Sequence, residues 1–384
     1  MKIAVVGAGP GGLYFSYLMK SRQPQVDIRV FEQNPADATF GFGVVFSDRA
    51  LDFLREDDPQ TYNLITPAME SWSDMVLDVC ATRVRIDGIG FSAVGRLELL
   101  RLLRQRTEGA GVSVHYERTI HSIDELQGMD LIVGADGVNS LVRNSSGAFG
   151  ANIAYLANQF IWYGTTQRFE TLTQTFRRTE HGAFNAHHYR YSPEMSTFII
   201  ETDASTWERT GFAGMSPEAT KAYCEKVFAE TLDGRGLVSN KSIWRNFPKV
   251  QNERWWSENL ALMGDALHTA HFSIGSGTRL AMEDAIALAN ALCGGSDNLR
   301  NALADYEAAR RPILDKLVTA ANSSAEWYER FAEHLKLDPL DFAMSYIMRS
   351  GRIDIERLRR LSPKFVAAYE AAHRTRPAAR PSSA

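Results

Sequence analysis

The sequence predicts an α/β protein: a Rossmann-like nucleotide-binding domain, interrupted by a mainly β substrate domain and followed by C-terminal helices. Three observations predict it. A glycine fingerprint, Gly7-x-Gly9-x-x-Gly12, stands between an apolar run and a helical stretch at the start of the chain. Strand-like segments then crowd the middle of the chain. Last, Leu262-Met263-Gly264-Asp265-Ala266-Leu267-His268, followed by Gly275-Ser276-Gly277, returns late to the chemistry of the opening loop, with Gly134-Ala135-Asp136-Gly137 between them.

Ile3 to Val6 is short, apolar and β-branched, and reads as a buried strand. Leu13 to Lys20 reads as the helix that follows. Gly7 permits the tight turn, Gly9 lets backbone approach a pyrophosphate, and Gly12 lets helix and strand pack closely. The helix N-terminus offers unpaired N–H groups to phosphates. Ile28 to Glu32 reads as the next strand, and Glu32 falls about 20 residues past the fingerprint, where a ribose-binding carboxylate is expected. Gly95 to Arg106 reads as a helix with Leu97, Leu99, Leu100 and Leu103 on its apolar side. Val112 to Tyr116 and Leu131 to Val133 read as strands of the nucleotide sheet. Phe160 to Thr166, Thr173 to Arg178, Phe184 to Tyr189 and Ser196 to Thr202 read as a separate sheet. Ser216-Pro217-Glu218 caps a helix running to Leu232. Asn259 to Met263 is a further strand, and Thr278 to Leu292 and Asn298 to Asn322 are long helices, the second kinked or broken at Pro312. Residues from His373 onward read as a frayed tail. The expected domains are 1–155 with 250–322 for the nucleotide, 156–249 for the substrate, and 323–384 for the C-terminal helical segment and tail.

A chain of 384 residues can bury a large core. Its net charge of −4 gives no reason to expect nucleic acid. The scattered cysteines Cys80, Cys224 and Cys293 form no metal-ligand spacing and no disulfide framework, which favours a reducing cytoplasm. No apolar run is long enough for a bilayer. The expectation is therefore no metal, no membrane and no nucleic acid.

The order of GxGxxG, Arg96 opening a helix, Gly134-Ala135-Asp136-Gly137 and Leu262-Met263-Gly264-Asp265-Ala266 resembles the single-component FAD-dependent aromatic hydroxylases of the para-hydroxybenzoate hydroxylase-like group. The likeness covers about residues 1–320. More narrowly, Gly41 to Ser47, Ile161 to Thr165, Asn246-Phe247-Pro248 and His268 to Thr278 are similar to the branch that hydroxylates salicylyl-CoA, 2-aminobenzoyl-CoA and tryptophan-derived violacein precursors. The resemblance implies a Rossmann-like FAD-binding domain. In it Gly7, Gly9 and Gly12 hold the pyrophosphate, Glu32 the adenosine ribose, and Arg96 the FAD phosphates. Asp136 serves FAD and reduced nicotinamide, and Asp265 the ribityl or ribose region. Gly275, Ser276, Gly277 and Thr278 present N–H groups to the flavin N1–O2 edge, where a helix N-terminus stabilises negative charge. One departure is that His271-Phe272-Ser273 stands where many relatives carry a proline.

The implied reaction is hydroxylation of an aryl-CoA thioester by NADH or NADPH and O2 through a flavin C4a-hydroperoxide, with salicylyl-CoA giving 2,5-dihydroxybenzoyl-CoA; the alternative is 2-aminobenzoyl-CoA or a free indole-type aromatic. The cofactor does the hard chemistry. The protein orients the ring, excludes water and accepts the phenol's hydrogen bond or proton. Candidates for that last task are His187, His188 and His271, with Tyr189 and His268 beside them. Phe42, Val44, Trp162, Tyr163, Tyr189, Phe247 and Phe272, together with Phe184, are the expected pocket wall. Arg168, Arg177, Arg178 and Arg190, and Arg349, Arg352, Arg357, Arg359 and Arg360, could form a rim for CoA phosphates. Residues Trp327 to Met348 read as helix packing or a dimer surface, so the protein is expected as a monomer or homodimer. A flavin-dependent halogenase is disfavoured because Trp-x-Trp-x-Ile-Pro is absent, and a non-catalytic FAD-fold binder because Gly275-Ser276-Gly277 is retained.

Overall fold

Ile3, Ala4 and Val5 are fully buried in a parallel strand, Lys2–Val6, because both its faces are covered. It pairs with Asp27–Phe31 on one side and Leu131–Gly134 on the other. The sheet continues outward to Ser113–His115 and, past Leu131–Gly134, to Leu260–Leu262 and the antiparallel Trp256–Ser257. The helix Pro10–Arg22 packs between this sheet and a later helix, Gly277–Cys293, so the two glycine signatures meet in space. The computed structural model describes residues 1–39, 41–47 and 51–375.

The second sheet has eight strands. Its path runs Leu237–Ser239, Ala151–Thr165, Ser196–Thr202, Gly182–Arg190, Leu172–Thr179, Met75–Val79 and Thr82–Ile86, and Arg245–Asn252 also pairs with Ala151–Thr165. Two of these strands come from the first 90 residues, so the early chain feeds both sheets. Side chains alternate across it. Ile161, Tyr163, Phe184, Ala186, Phe198 and Ile200 share one face, covered by the helices Ala204–Thr210 and Pro217–Val227. Phe176, Tyr189, Leu77 and Ile86 share the other, packed against Trp327, Tyr328, Phe331, Phe342 and Tyr346. Those C-terminal aromatics are thus a buried packing layer.

Three local expectations need correction. Of the kink or break expected at Pro312, the break does not occur: the helix runs on from Leu299 to Glu329. An internal proline costs about 3 kcal/mol, and tertiary contacts on both sides offset it: Arg310 is locked to Asp284, Arg311 donates to the Glu253 carbonyl at 2.7 Å, and Leu314 is buried. On the helix Arg96–Gly109, Leu97 is 41% exposed while Leu102 is buried, because Leu99, Leu102, Leu103 and Thr107 follow the helical repeat and Leu97 does not. The helix Pro363–Thr375 includes the start of the expected tail, and the rest of that tail lies outside the described residues. Among the described residues, no helix is long and apolar enough to cross a membrane.

The junction of the fold is Asp284, fully buried in the helix Gly277–Cys293. Its carboxylate accepts the Gly264 N–H at 3.0 Å, His268 Nε2–H at 2.7 Å and Arg310 Nε–H at 2.9 Å. Burial alone would raise its pKa, but His268 and Arg310 override this and hold it below the usual value. Breaking a buried pair strands the remaining charge, so Asp284→Asn is expected to cost roughly 3–5 kcal/mol. The folded carboxylate binds its proton more weakly than the unfolded one. Its stabilisation is therefore full above the unfolded pKa and is lost as pH falls through the folded one. Thermal melts from neutral to acid pH should show a shallower acid-side decline in Asp284→Asn than in the parent; parallel curves would refute this role.

Candidate functional site

At the nucleotide end, Gly7 has φ +102°, and a Cβ there would stand 2.3 Å from the Ala135 carbonyl oxygen. A Cβ on Gly12 would stand 2.1 Å from the Gly7 carbonyl oxygen. Gly9 differs: it begins the helix Pro10–Arg22 with no side-chain cap, and a Cβ there meets nothing within 4 Å. The loop therefore leaves space and free helix N–H groups at one point, which fits a diphosphate. Glu32 is held beside that loop. It accepts the Ala8 N–H at 2.9 Å, the Asn34 N–H at 2.8 Å and the Asn34 side-chain amide at 2.7 Å.

Further along the crevice, Asp265 projects from the turn Gly264–Ala266 that Asp284 anchors. It is reached by solvent but surrounded by protein, and this enclosure raises its pKa against the pull of His268 and Arg96. Enclosure lowers the pKa of Arg96, with Asp265 opposing. The Arg96 Nε–H donates to Thr39 Oγ1 at 3.1 Å, and no direct ion pair joins Arg96 to Asp265 among the described residues. Opposite charges facing across a gap suit a phosphate beside Arg96 and hydroxyls beside Asp265. Asp136 is partly committed: one oxygen accepts the Leu141 and Val142 N–H groups at 2.7 and 3.3 Å, the other is buried without a partner, and burial raises its pKa. Gly275, at φ +59°, turns the chain against Val45 into Ser276, after which Gly277–Cys293 starts with no side-chain cap. The first-turn N–H groups at Gly277 and Thr278 are thus left for a ligand.

The pocket residues sort by face. Phe247, Phe272, His271 and the unforeseen Phe160 form one aromatic cluster, with Phe160–Phe272 centroids 5.0 Å apart, Phe247–His271 4.9 Å and His271–Phe272 4.2 Å. Trp162 lies over Gly41 and Phe42 over Gly164, locking the segment that carries the buried Val44 onto the second sheet. Tyr189 commits its hydroxyl to the Gly43 carbonyl at 2.8 Å, so it supports the wall. Tyr163 and Phe184 face the opposite side of the sheet, as alternation from Trp162 and Asn185 requires. The paired histidines part the same way. His188 packs against Phe198 on the far face and bonds Thr175 Oγ1 at 2.9 Å. His187 points with Tyr189, and neither ring nitrogen has a partner. Burial, aided by Arg349, pushes the pKa of His187 down to about 3; burial, Arg349 and His187 do the same to His271.

The expected basic rim is largely committed elsewhere. Arg177 pairs with Asp78, Arg190 with Glu70, and Arg359 with Glu356 and Glu370. Arg168 lines a hollow of about 700 Å³ on the far face with His188 and Arg177. Arg178 and Arg360 are exposed. Arg349 turns inward, donating to the Ser273 carbonyl at 2.8 Å and lying 3.8 Å from the Tyr346 ring centre. Arg352 stands near Arg279 and Arg357, and enclosure together with these like charges lowers its pKa.

Sequence reasoning missed Glu201. It is 2% exposed on the pocket face, accepts the Asn158 amide at 2.8 Å through Oε1, and leaves Oε2 without a partner. Asn158 sits at a β-bulge in Ala151–Thr165. Asn246 pins the bulge by donating to the carbonyls of Leu156, Ala157 and Asn158, and Glu329 accepts the N–H groups of Ala157 and Asn158. The only signal was an acid inside Phe198-Ile199-Ile200-Glu201-Thr202.

The chain belongs to the FAD-dependent aromatic monooxygenases, consistent with a twice-signed dinucleotide crevice and an aromatic cluster: the sequence profile of the FAD binding domain family matches residues 124–321. It is 42% identical over 361 residues to salicyloyl-CoA 5-hydroxylase from a Streptomyces species, covering 91% of this chain and 70% of that one. It is 34% identical over 359 residues to protodeoxyviolaceinate monooxygenase from Chromobacterium violaceum, covering 91% and 94%. The fold matches a probable FAD-dependent monooxygenase from Pseudomonas aeruginosa with a TM-score of 0.68, at 20% identity over 90% of this chain and 99% of that one.

Two predictions follow from the glycines and Glu201. Gly9→Ala should fold normally yet purify with little flavin, whereas Gly12→Ala should lose folded yield through the clash with Gly7; absorbance per protein and melts of the flavin-free form measure both, and a fully yellow Gly9→Ala would be the contrary result. Burial, opposed by Asn158, raises the Glu201 pKa from 4.5 to about 8. Between these values the unfolded chain gives up the proton and the folded one keeps it, so stability drains as pH rises through that window. Glu201→Gln escapes this cost. Its Tm gain over the parent should be larger near pH 8 than near pH 5, and an equal difference at both would show that Glu201 does not titrate there.

Proposed function

We propose that this monooxygenase hydroxylates an aromatic acyl-CoA thioester, converting salicylyl-CoA to 2,5-dihydroxybenzoyl-CoA with NADH or NADPH and O2. The observation that carries the proposal is the aromatic cluster of Phe160, Phe247, Phe272 and His271 beside the uncapped start of Gly277–Cys293. Bound FAD, once reduced, supplies the oxygen-activating chemistry. Gly7, Gly9, Gly12 and Arg96 would hold its phosphates, Glu32 its adenosine ribose, and Asp265 the ribityl chain, with Asp136 serving FAD and the reduced nicotinamide. The N–H groups at Gly277 and Thr278 would stabilise negative charge at its N1–O2 edge, whereas the expected Gly275 N–H is already taken by the Phe272 carbonyl at 2.9 Å.

The ring stacks within the aromatic cluster, which excludes water and fixes its distance from the flavin edge. His187 is neutral at physiological pH and has a lone pair free to accept the phenol O–H, which raises electron density para to that oxygen. The CoA phosphates extend to Arg352 and Arg357, beside Arg279, which pairs with Glu283 at 2.6 Å, near the start of the helix Gly277–Cys293. A second reading, hydroxylation of a free indole-type aromatic, is favoured by the match to 94% of the length of protodeoxyviolaceinate monooxygenase.

The test offers salicylate, salicylyl-CoA, 2-aminobenzoyl-CoA and tryptophan separately to the yellow protein, following NADH and NADPH oxidation and product mass. Stimulation by salicylyl-CoA alone, with one oxygen gained, is expected. Equal response to free acids or tryptophan would overturn the CoA part. Arg352→Glu should raise KM for the thioester about tenfold with little change in kcat; an unchanged KM would remove Arg352 from the phosphate site.

A further inference from the structure

Polar groups around His271 form a chain that reaches from the pocket into the C-terminal helices. His271 Nδ1 lies 2.8 Å from Ser273 Oγ, Ser273 Oγ lies 2.7 Å from Ser324 Oγ, and the Arg349 Nε–H donates to Ser324 Oγ at 2.9 Å. His271, Ser273 and Ser324 are all buried. The polarity of this chain follows from its end. A guanidinium only donates, so Ser324 Oγ accepts there, and its own proton has Ser273 Oγ as the acceptor in reach. The Ser273 hydroxyl then donates its hydrogen bond to His271 Nδ1, which also accepts the Ser273 backbone N–H at 3.4 Å. The reverse polarity would bury the Ser324 hydroxyl proton without an acceptor and aim the Ser273 N–H at another donor. Native interiors rarely leave buried donors in that state.

With Nδ1 accepting, a neutral imidazole carries its proton on Nε2. No hydrogen bond from Nε2 to protein is present among the described residues, and the ring is otherwise surrounded by Phe247, Phe272 and Tyr328. We infer that Arg349, Ser324 and Ser273 lock His271 as a neutral Nε2–H donor, and that this donor selects aromatic substrates carrying an acyl carbonyl or hydroxyl oxygen against it. The inference rests on the aromatic cluster being the ring pocket. It makes Arg349 and Ser324 positioning residues acting through His271, and it removes His271 from the proton acceptors, since its lone pair is already engaged.

Nitrogen-15 histidine NMR of the FAD-loaded protein tests this, with the His271 signals assigned by their loss in His271→Gln. The expected pattern is protonated Nε2 and unprotonated Nδ1, with Nε2 shifting when salicylyl-CoA binds the oxidised enzyme. Ser324→Ala should mix the tautomers and lower kcat/KM roughly fivefold, and Ser324→Thr should restore both. A proton on Nδ1 in the parent, or an unmixed tautomer in Ser324→Ala, overturns the lock. An unmoved Nε2 signal in the substrate complex overturns the selection. If Ser324→Ala does not fold, the parent spectrum and its titration decide alone. Hydroxylation with the wrong tautomer sinks the lock and spares the proposed function; the right tautomer with no turnover of any aryl substrate sinks the proposed function and spares the lock.

Discussion

The buried carboxylate of Asp284 is the contact on which the other parts of the crevice depend. It sits on the helix Gly277–Cys293, yet its three donors come from the Gly264 turn, from His268 and from the long helix Leu299–Glu329. Asp265, one residue past Gly264, inherits its position from that bond. So does the chain from His268 to Gly275, held at one end by His268 and at the other by the helix start. Because Asp284 carries a full charge with fixed partners in a dry interior, the arrangement has little freedom to slide. The single carboxylate thereby ties together the Gly264 turn, the loop from His268 to Gly275 and the helix Leu299–Glu329.

The second sheet divides labour by parity. One face is closed by its own helices, and the other meets the C-terminal helices and the flavin domain. Adjacent residues, Trp162 with Tyr163 and His187 with His188, therefore have unrelated surroundings. Among the described residues, a β-bulge at Asn158 interrupts the long strand and turns an amide toward Glu201. A buried acid beside an aromatic pocket needs such a partner, since an unpaired carboxyl in that setting is costly.

Much of the nucleotide end was legible in the sequence, because each glycine there answers a local steric demand. Gly7 and Gly12 touch backbone within a few residues or across one strand, and Glu32 follows at a fixed strand length. The ring pocket was legible only in part. The separate motifs Asn246-Phe247-Pro248 and His268 to Thr278 single out Phe247, His271 and Phe272, but a motif cannot say which face of a strand looks inward, and Tyr163, Phe184 and His188 went to the other side for that reason. Pro312 and Leu97 misled because long-range packing outweighed a local rule. Glu201 and Arg349 acquire meaning only from partners more than 20 residues away, Asn158 for one and Ser273 and Ser324 for the other.

The order of strands in the first sheet has a consequence for how the chain is made. Lys2–Val6 lies between Asp27–Phe31 and Leu131–Gly134, but the outer neighbour of Leu131–Gly134 is Leu260–Leu262, which a ribosome delivers only after the whole second sheet has been synthesised. During that interval one rim of an apolar parallel sheet is unpaired and adhesive. The last helices, which supply Tyr328 and Arg349, emerge later still. The nascent protein thus spends roughly a third of its synthesis with an open seam, and its yield in the cell depends on how fast translation closes that seam relative to how fast such chains meet one another.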